Sequence, residues 1–387
     1  MKFSKRLQQL PEQFFSSLAA QTMKAMAEGR DVINLGQGNP DQPTPAHIVE
    51  AMQQAVADPK NHKYSPFRGV KEMRQAAADF YKREYNVDID PDLEVALLAG
   101  TKIGLVEMPL AFLDPDESLL LPDPGYPDYM SGAPLAGIEM DLMKLTPENN
   151  YLPDYNQLEK NVLDRAAMMY LNYPNNPTGA VATKEFFDET VQFAQANGIA
   201  VVHDFAYGAI GYEGVKPPSF LQSDGAKDLG IEMYTLSKTY NMAGWRVGFA
   251  VGNSKMIEAL NLVQDHLFAG LPTALQLAAA EALSGDQTCV TELVDTYEKR
   301  RQVLTDECAR IGWNIKAPKG SFFAWLPVPE GFTSMEFVNH LLKHADISVA
   351  AGSGFGENGE GFVRVGLLVD EERIVEAIKR IEKLNLF

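Results

Sequence analysis

Between residues 94 and 252 the sequence alternates short apolar runs with stretches of helical periodicity, and this alternation most constrains the fold. Strands that are buried on both faces and separated by helices form a parallel sheet with helices on each side. One helix is expected at about 102 to 112, and another begins near Thr183, which can serve as its N-cap. Ligands bind to such α/β sheets at the carboxyl ends of the strands. The apolar runs read EVALLA, ESLLLP, AMMYLN, GIAVVHD and IEMYTLS.

The pattern changes after about residue 254. Helical periodicity continues to about 311, and it is followed by strand-like and helical stretches that predict a smaller α+β domain. The N-terminal segment is rich in Pro, Gly and Asn and reads as an arm that leads into the larger domain. We therefore expect a large domain over residues 46–284 and a small domain formed by residues 1–45 together with 285–387.

Composition narrows the class of protein. The 387 residues carry a net charge of −18, which argues against nucleic acid or an anionic membrane as the main partner. Cys289 and Cys308 form no CxxC pair and no metal-ligand cluster, which suits a reducing compartment. The positive charges at the N-terminus precede no apolar run, and no run is long enough to span a bilayer. We expect a cytoplasmic protein without a signal peptide.

Unusual side chains follow the ends of the predicted strands. Gly100, Thr101 and Lys102 open a helix, where backbone N–H groups can hold a phosphate, although an ordinary helix start has the same pattern. Tyr126 lies in PDPGYPDY, where prolines fix the backbone. Its ring can stack on a flat ligand or simply pack against the core. Asn176 in NYPNNPTG can donate to a ligand oxygen, whereas Asn and Pro are also common turn residues.

Two further segments carry charged groups at strand ends. HDFAYG ends its strand on Asp204, with Tyr207 three residues later, and an acid at this position needs a cationic partner. His203 points to the opposite face, where we interpret it as structural. The segment SKTYNMAGWR supplies Ser237, Lys238 and Arg246, which are an alcohol, an amine and an anion-binding guanidinium.

Taken alone, Lys238 reads as a lysine that snorkels to water. Together with the other groups it gives the parts that pyridoxal phosphate requires, which are a phosphate cradle, a stacking ring, a buried acid, a phenol and an amine. The amine forms a Schiff base with the cofactor aldehyde, and the acid keeps the pyridine nitrogen protonated. A competing dinucleotide motif, GxGxxG at 354–359, is followed by the strand-like GFVRVGL rather than by a helix. We therefore reject a nicotinamide dehydrogenase.

The motifs NNPTG, DFAY and SKTYNMAGWR occur in order, and the chain resembles the fold-type-I, class I/II aminotransferases over essentially its whole length. The resemblance implies an α/β large domain around a mostly parallel sheet, a smaller α+β domain, and a homodimer with shared active sites. It implies pyridoxal phosphate and ping-pong transfer of an amino group between an α-amino acid and a 2-oxo acid. The implied catalytic residues are Lys238, Asp204 and Tyr207. The implied cofactor contacts are Gly100, Thr101, Lys102, Tyr126, Asn176, Asp204, Tyr207, Ser237, Lys238 and Arg246, with Tyr64 reaching the neighbouring subunit's phosphate.

Longer segments, among them VINLGQGNPDQPTP and DPGYPDYMSG, resemble the bacterial methionine-salvage aminotransferases. Those enzymes form methionine from 4-methylthio-2-oxobutanoate, with glutamine as a favoured donor. The resemblance implies substrate contacts from Gly38, Asn176, Arg364 and Phe15. Phe15 lies in an aromatic arm beside Phe14, and both rings have packing as their alternative role.

Two features depart from the family pattern. Phe205-Ala206 replaces the acidic-apolar pair that commonly follows the aspartate. Lys102 occupies a position that serves a distal substrate carboxylate in some aspartate aminotransferases and the phosphate in other relatives. The alternatives are an aspartate-specific or broad-specificity aminotransferase, a carbon–sulfur β-lyase on the same fold, and a cofactor-binding regulator, which the acidic chain disfavours.

Overall fold

The computed structural model, which describes residues 2–11 and 13–387, contains a seven-stranded sheet, a three-stranded sheet and a two-stranded pair. The strands are β1 Ile33–Asn34, β2 Val95–Leu98, β3 Ser118–Asp123, β4 Glu139–Lys144, β5 Ala166–Asn172, β6 Ala200–Asp204, β7 Gly230–Thr235, β8 Gly248–Gly252, β9 Phe323–Pro327, β10 Ile347–Ser348, β11 Ala350–Ala351 and β12 Phe362–Gly366. The helices are α1 Lys5–Gln8, α2 Phe14–Ala27, α3 Ala46–Ala57, α4 Lys71–Tyr85, α5 Thr101–Phe112, α6 Gly132–Ala136, α7 Lys160–Leu163, α8 Lys184–Asn197, α9 Ala226–Leu229, α10 Leu236–Thr239, α11 Ser254–Leu267, α12 Thr273–Ser284, α13 Thr288–Arg310, α14 Ser334–Ala345 and α15 Glu371–Glu382.

The seven strands lie in the order β2-β8-β7-β6-β5-β3-β4. Strands β7, β6, β5, β3 and β4 are parallel to one another, whereas β8 is antiparallel to both β2 and β7. The connection from β7 to β8 contains only short helical turns, so the chain turns back directly beside β7. The predicted α/β class with a mostly parallel sheet is confirmed.

Both faces of this sheet are covered, which explains why its strands read as continuous apolar runs. Consecutive residues of β5 show the two faces, because Met168 packs into one apolar core and Met169 into the other. Helix α8 begins where the sequence predicts, since the Thr183 hydroxyl accepts a hydrogen bond from the Phe186 N–H at 3.2 Å. None of the helices among the described residues is long and apolar enough to cross a membrane.

A third apolar core surrounds the antiparallel sheet β11-β12-β9 and includes residues of α13, α14 and α15. The N-terminal segment joins it, because β1 pairs in parallel with β10 through Ile33 and Ile347. Strand β11 follows β10 after one residue but joins the three-stranded sheet, by pairing with β12. Tyr207 and Phe323 belong to this core and extend it to the carboxyl end of the large sheet.

The GxGxxG segment at 354–359 leads into strand β12 and not into a helix, as predicted. Its Asn358 donates from Nδ2 to Oδ2 of Asp123, at the end of β3, over 2.7 Å. Gly356 has a φ of +128°, and a Cβ there would overlap the Asp123 carboxylate. The segment thus ties the three-stranded sheet to the large sheet.

Candidate active site

A cavity of about 410 Å³ opens at the carboxyl ends of the parallel strands. Asn172, Asp204 and Thr235, which are the last residues of β5, β6 and β7, contribute to its wall. The position follows the general rule for ligand sites in α/β sheets. Most of the predicted site residues line it, namely Phe15, Gly38, Thr101, Lys102, Tyr126, Asn176, Asp204, Tyr207, Ser237, Lys238, Arg246 and Arg364.

Asp204 is a buried acid with one free oxygen. Its Oδ2 accepts a hydrogen bond from the Tyr129 phenol at 2.8 Å, and Asn172 Nδ2 donates to its backbone oxygen at 2.8 Å. Oδ1 has no hydrogen-bond partner among the described residues. Burial raises the pKa of the Asp204 carboxyl, while the Tyr129 hydrogen bond opposes that shift. A cationic N–H donor in the cavity would satisfy Oδ1 and stabilise the carboxylate.

Lys238 lies in the single helical turn α10, directly after β7. The Thr235 side chain caps this turn by accepting a hydrogen bond from the Ser237 N–H at 3.2 Å. The Lys238 amine donates to the Gly38 carbonyl at 2.8 Å. Burial, with smaller contributions from the charges of Arg364 and Arg246, lowers its pKa from 10.5 to about 8. At pH 7 roughly a tenth of the amine is therefore neutral, and this is the form that nucleophilic attack requires.

Gly100, Thr101, Ser237 and Arg246 form an anion cradle at the amino end of α5. Gly100 caps the helix with a φ of +82°, and a Cβ there would overlap the Arg246 guanidinium. Glycine is thus required for the close approach of that cation to the helix N-terminus. Thr101 and Ser237 bring hydroxyl groups to the same wall of the cavity. The helix dipole, the hydroxyls and the guanidinium together suit a phosphate.

Arg364 is a buried cation without a carboxylate partner among the described residues. Its Nη1 donates to Asn176 Oδ1 at 2.8 Å, and Nη2 donates to the Gly36 carbonyl at 3.0 Å. Nε has no hydrogen-bond partner there. Burial lowers the pKa of Arg364 to about 10, so the side chain remains a cation at neutral pH. It is available for an anion from the cavity.

Aromatic rings surround Arg364 on several sides. The centroids of Phe323, Phe355 and Phe15 lie 3.9, 4.8 and 5.0 Å from its guanidinium carbon. Phe15 also stacks on Tyr126, with centroids 6.3 Å apart and planes 30° apart. The aromatic arm therefore places Phe15 between the buried cation and the predicted stacking ring, whereas Phe14 packs against Phe355.

Tyr207 is buried beside Phe323, with ring centroids 5.8 Å apart. Burial raises the pKa of its phenol, with the Asp204 charge adding to the rise and Arg364 opposing it. The phenol thus remains protonated at neutral pH and can donate a hydrogen bond into the cavity.

Three site residues have surroundings that the sequence did not reveal. Tyr129 donates a hydrogen bond to Asp204, whereas the sequence analysis named only Tyr126 of the PDPGYPDY segment. The signal that could have indicated Tyr129 is its position three residues after Tyr126. Lys102 lies 2.9 Å from the buried Asp128, with Nζ against Oδ2. Tyr64 lies outside the cavity and is 90% exposed.

His203, which the sequence analysis interprets as structural, is fully buried and bonds through Nδ1 to Glu232 at 2.6 Å, on the side of the sheet away from the cavity.

Comparisons with known proteins identify the family of the chain. Residues 30–381 match the family model for aminotransferase class I and II. The chain is 62% identical to L-glutamine–4-(methylsulfanyl)-2-oxobutanoate aminotransferase of Bacillus subtilis, over 100% of this chain and 98% of that protein. It is 43% identical to LL-diaminopimelate aminotransferase of Dehalococcoides mccartyi, over 98% of each.

A solved structure of substrate-bound BacF from Bacillus subtilis superposes with a TM-score of 0.97 at 46% identity, over 100% of this chain and 98% of that one. A family model that matches most of the chain and relatives that match its whole length lead to the same assignment. The chain belongs to the class I and II aminotransferase family.

Proposed function

We propose that the cavity binds pyridoxal phosphate and that the chain uses it to transfer an amino group between an α-amino acid and a 2-oxo acid. The unpartnered Oδ1 of Asp204 carries the proposal, because a buried carboxylate oxygen facing a cavity needs a cationic donor such as a protonated pyridine nitrogen. The cradle at Gly100 and Arg246 fits the phosphate. When bound, this cofactor supplies an aldehyde that carries the amino group and a ring that accepts electrons.

The side chains of the cavity then have separate tasks. Lys238 holds the cofactor through its amine and, once released, moves a proton at the substrate α-carbon, for which a pKa of about 8 suits it. Arg364 binds the α-carboxylate of each substrate through its planar guanidinium. Tyr207 and Asn176 would donate hydrogen bonds to the cofactor's phenolic oxygen, and Tyr126 would stack on its ring.

We further infer that 4-methylthio-2-oxobutanoate is the acceptor, that methionine is its product and that glutamine is the donor. The likeness at 62% identity supports this choice. The wall formed by Phe15, Leu18 and Ala19 also supports it, since a flexible thioether packs well on aromatic and aliphatic groups.

A matrix of amino donors and 2-oxo acids tests the proposal with the purified, cofactor-loaded protein. Glutamine, methionine, aspartate, glutamate, LL-diaminopimelate and S-methylcysteine are the donors, and product amino acids are counted beside thiol released from S-methylcysteine. We expect the highest kcat/KM for glutamine with 4-methylthio-2-oxobutanoate. Preference for aspartate or LL-diaminopimelate would overturn the substrate assignment, and thiol release without transamination would overturn the reaction.

The proposal includes a homodimer in the cytoplasm. The loop that carries Tyr64 and Phe67 is tied to α11 through Arg68 and Glu258, which lie 3.0 Å apart. Tyr64 is 90% exposed, Phe67 71% and Leu267 59%, so this face offers apolar surface for a second copy. Two cysteines that form no disulfide suit a reducing compartment.

Sedimentation equilibrium tests the dimer. We expect Leu267→Glu to shift the protein to monomer and to reduce activity, because a charge there is buried on association. Leu93→Glu is the matched control, since Leu93 is 63% exposed on another part of the surface. A monomeric wild-type protein with full activity would contradict the dimer.

A further inference from the structure

The charged side chains that line the cavity include one cation without a task in the proposed function. Asp204 and Lys238 serve the cofactor, Arg246 the phosphate and Arg364 the substrate α-carboxylate. Among the described residues, Lys102 is the remaining charged group on the wall. A second carboxylate on a substrate side chain would need this ammonium, since burying that charge without a partner is costly.

The Lys102 ammonium is already engaged by Asp128. Nζ and Oδ2 lie 2.9 Å apart, and the Asp128 side chain is only 7% exposed, whereas that of Lys102 is 45% exposed. A further donor holds the carboxylate, because Gln13 Nε2 lies 3.3 Å from Oδ1. The acid is thus held between α5 and the residue that caps the amino end of α2.

We propose that Asp128 is a specificity-determining residue that masks Lys102 and makes the cavity reject substrates with an acidic side chain. The inference rests on the proposed aminotransferase function and names its substrate class. A glutamate or aspartate side chain approaching Lys102 would place a second carboxylate close to Asp128, where repulsion in a partly buried site is strong. The positive charge of Lys102 is already neutralised by Asp128, so it would not stabilise the substrate's second carboxylate.

The same pair favours neutral side chains that accept a hydrogen bond. An ammonium has three N–H donors, and Asp128 takes one of them. The others can donate to the amide oxygen of glutamine while the ion pair between Lys102 and Asp128 stays intact. The selected class is therefore amino acids and 2-oxo acids with a neutral side chain, with the amide preferred at Lys102.

Asp128→Asn tests this inference, because it removes the masking charge and keeps the size of the side chain. We expect kcat/KM for glutamate, divided by that for methionine, to rise about tenfold or more. Lys102→Met in the Asp128→Asn background should remove that gain. Asp164→Asn is the matched control, since Asp164 forms an exposed ion pair with Lys160 at 2.6 Å. The ratio of kcat/KM for glutamate to that for methionine should not change in this variant.

Direct binding gives a second measurement that does not depend on turnover. We expect Asp128→Asn to tighten binding of glutarate relative to 4-(methylthio)butanoate in calorimetry, whereas Asp128→Glu, which keeps the charge, should bind glutarate as weakly as the wild type. If Asp128→Asn does not fold, Lys102→Met in the wild-type background replaces it. That variant should lose glutamine selectively and discriminate still more strongly against glutamate.

If Asp128→Asn left the ratio of kcat/KM for glutamate to that for methionine unchanged, or lowered kcat/KM equally for all substrates, the role of Asp128 in specificity would be overturned. Asp128 would then have only a structural role. A lower affinity of Lys102→Met for pyridoxal phosphate, with no change in side-chain preference, would assign Lys102 to the cofactor instead. Failure of the proposed function looks different, because the wild-type protein would then not transaminate methionine or glutamine at all.

Discussion

At the scale of residues, two buried groups of opposite charge each keep one polar atom without a partner among the described residues. They are Oδ1 of Asp204 and Nε of Arg364. A buried polar atom of this kind is destabilising unless a ligand satisfies it. The protein thus keeps two unsatisfied charged groups on the wall of one cavity, where a ligand with a cationic ring nitrogen and a carboxylate would stabilise both.

Tyr129 and Asp204 are expected to differ in their contributions to the rate. Tyr129→Phe removes one hydrogen bond from the carboxylate and should lower kcat about tenfold. Asp204→Asn removes the charge itself and should lower kcat by about two orders of magnitude or more. Steady-state kinetics of the loaded enzyme measure both effects.

Tyr155→Phe is the control for this pair, because its phenol hydrogen-bonds to Thr190 at 2.8 Å in a buried site away from the cavity. It should cost stability but not rate. Near-wild-type turnover by Asp204→Asn would contradict the role given to this acid.

Lys238 should become reactive at a lower pH than an ordinary amine. Its pKa is lowered to about 8, so the amine is protonated below that pH and neutral above it. In cofactor-free protein, the rate of labelling at Lys238 by an amine-directed reagent should rise with a midpoint near pH 8. Peptide mapping after short pulses measures it, and free Nα-acetyl-lysine provides the ordinary profile. A midpoint near that of the free amine would contradict the effect of burial.

At the scale of elements, the sequence predicted what depends on local pattern. Helix α8 begins after Thr183 because a threonine cap and an apolar periodicity are both visible in the chain. The antiparallel direction of β8 was not predicted, since it depends on where the chain returns after β7. Asp128 and Tyr129 were not singled out for a similar reason, because their partners, Lys102 and Asp204, are distant in sequence.

The GxGxxG segment at 354–359 is expected to contribute to the stability of the fold rather than to ligand binding. Gly356→Ala would bring a Cβ into the Asp123 carboxylate at a φ of +128° and should destabilise strongly. Gly361→Ala is the matched control, since its φ is +82° and nothing lies within 4 Å of the added Cβ. The control should cost about 1 kcal/mol from backbone strain alone. Equal losses in urea denaturation would show that the Asp123 contact contributes little.

At the scale of the whole molecule, the site gathers residues from both ends of the chain. Gly36 and Gly38 contact Arg364 and Lys238, and these pairs are separated by 328 and 200 positions. The motifs predicted most of the residues that line the cavity, because each motif is local. Which groups contact one another follows from topology, and the sequence alone did not supply it.

On refolding from urea, the secondary structure should form before the cavity does. Contacts between residues distant in sequence form late, because closing a long loop is entropically unfavourable. We expect the far-ultraviolet circular dichroism signal to recover before the capacity to bind 4-(methylthio)butanoate. Circular dichroism and ligand binding, followed after the same dilution, measure the two. Simultaneous recovery would indicate that the cavity forms together with the sheet.

The pairing of β1 with β10 has a consequence for the life of the nascent chain. Ile33 leaves the ribosome long before its partner Ile347 is added to the chain. Until then the N-terminal arm has no strand to join, and the apolar residues that pack there remain open to solvent or to a chaperone. On the proposed roles, a translation product interrupted before Arg364 would contain Lys238 and Asp204 but would lack the cation for the substrate carboxylate. The proposed transamination would therefore begin only after Arg364 has been added and has reached its place beside Gly36.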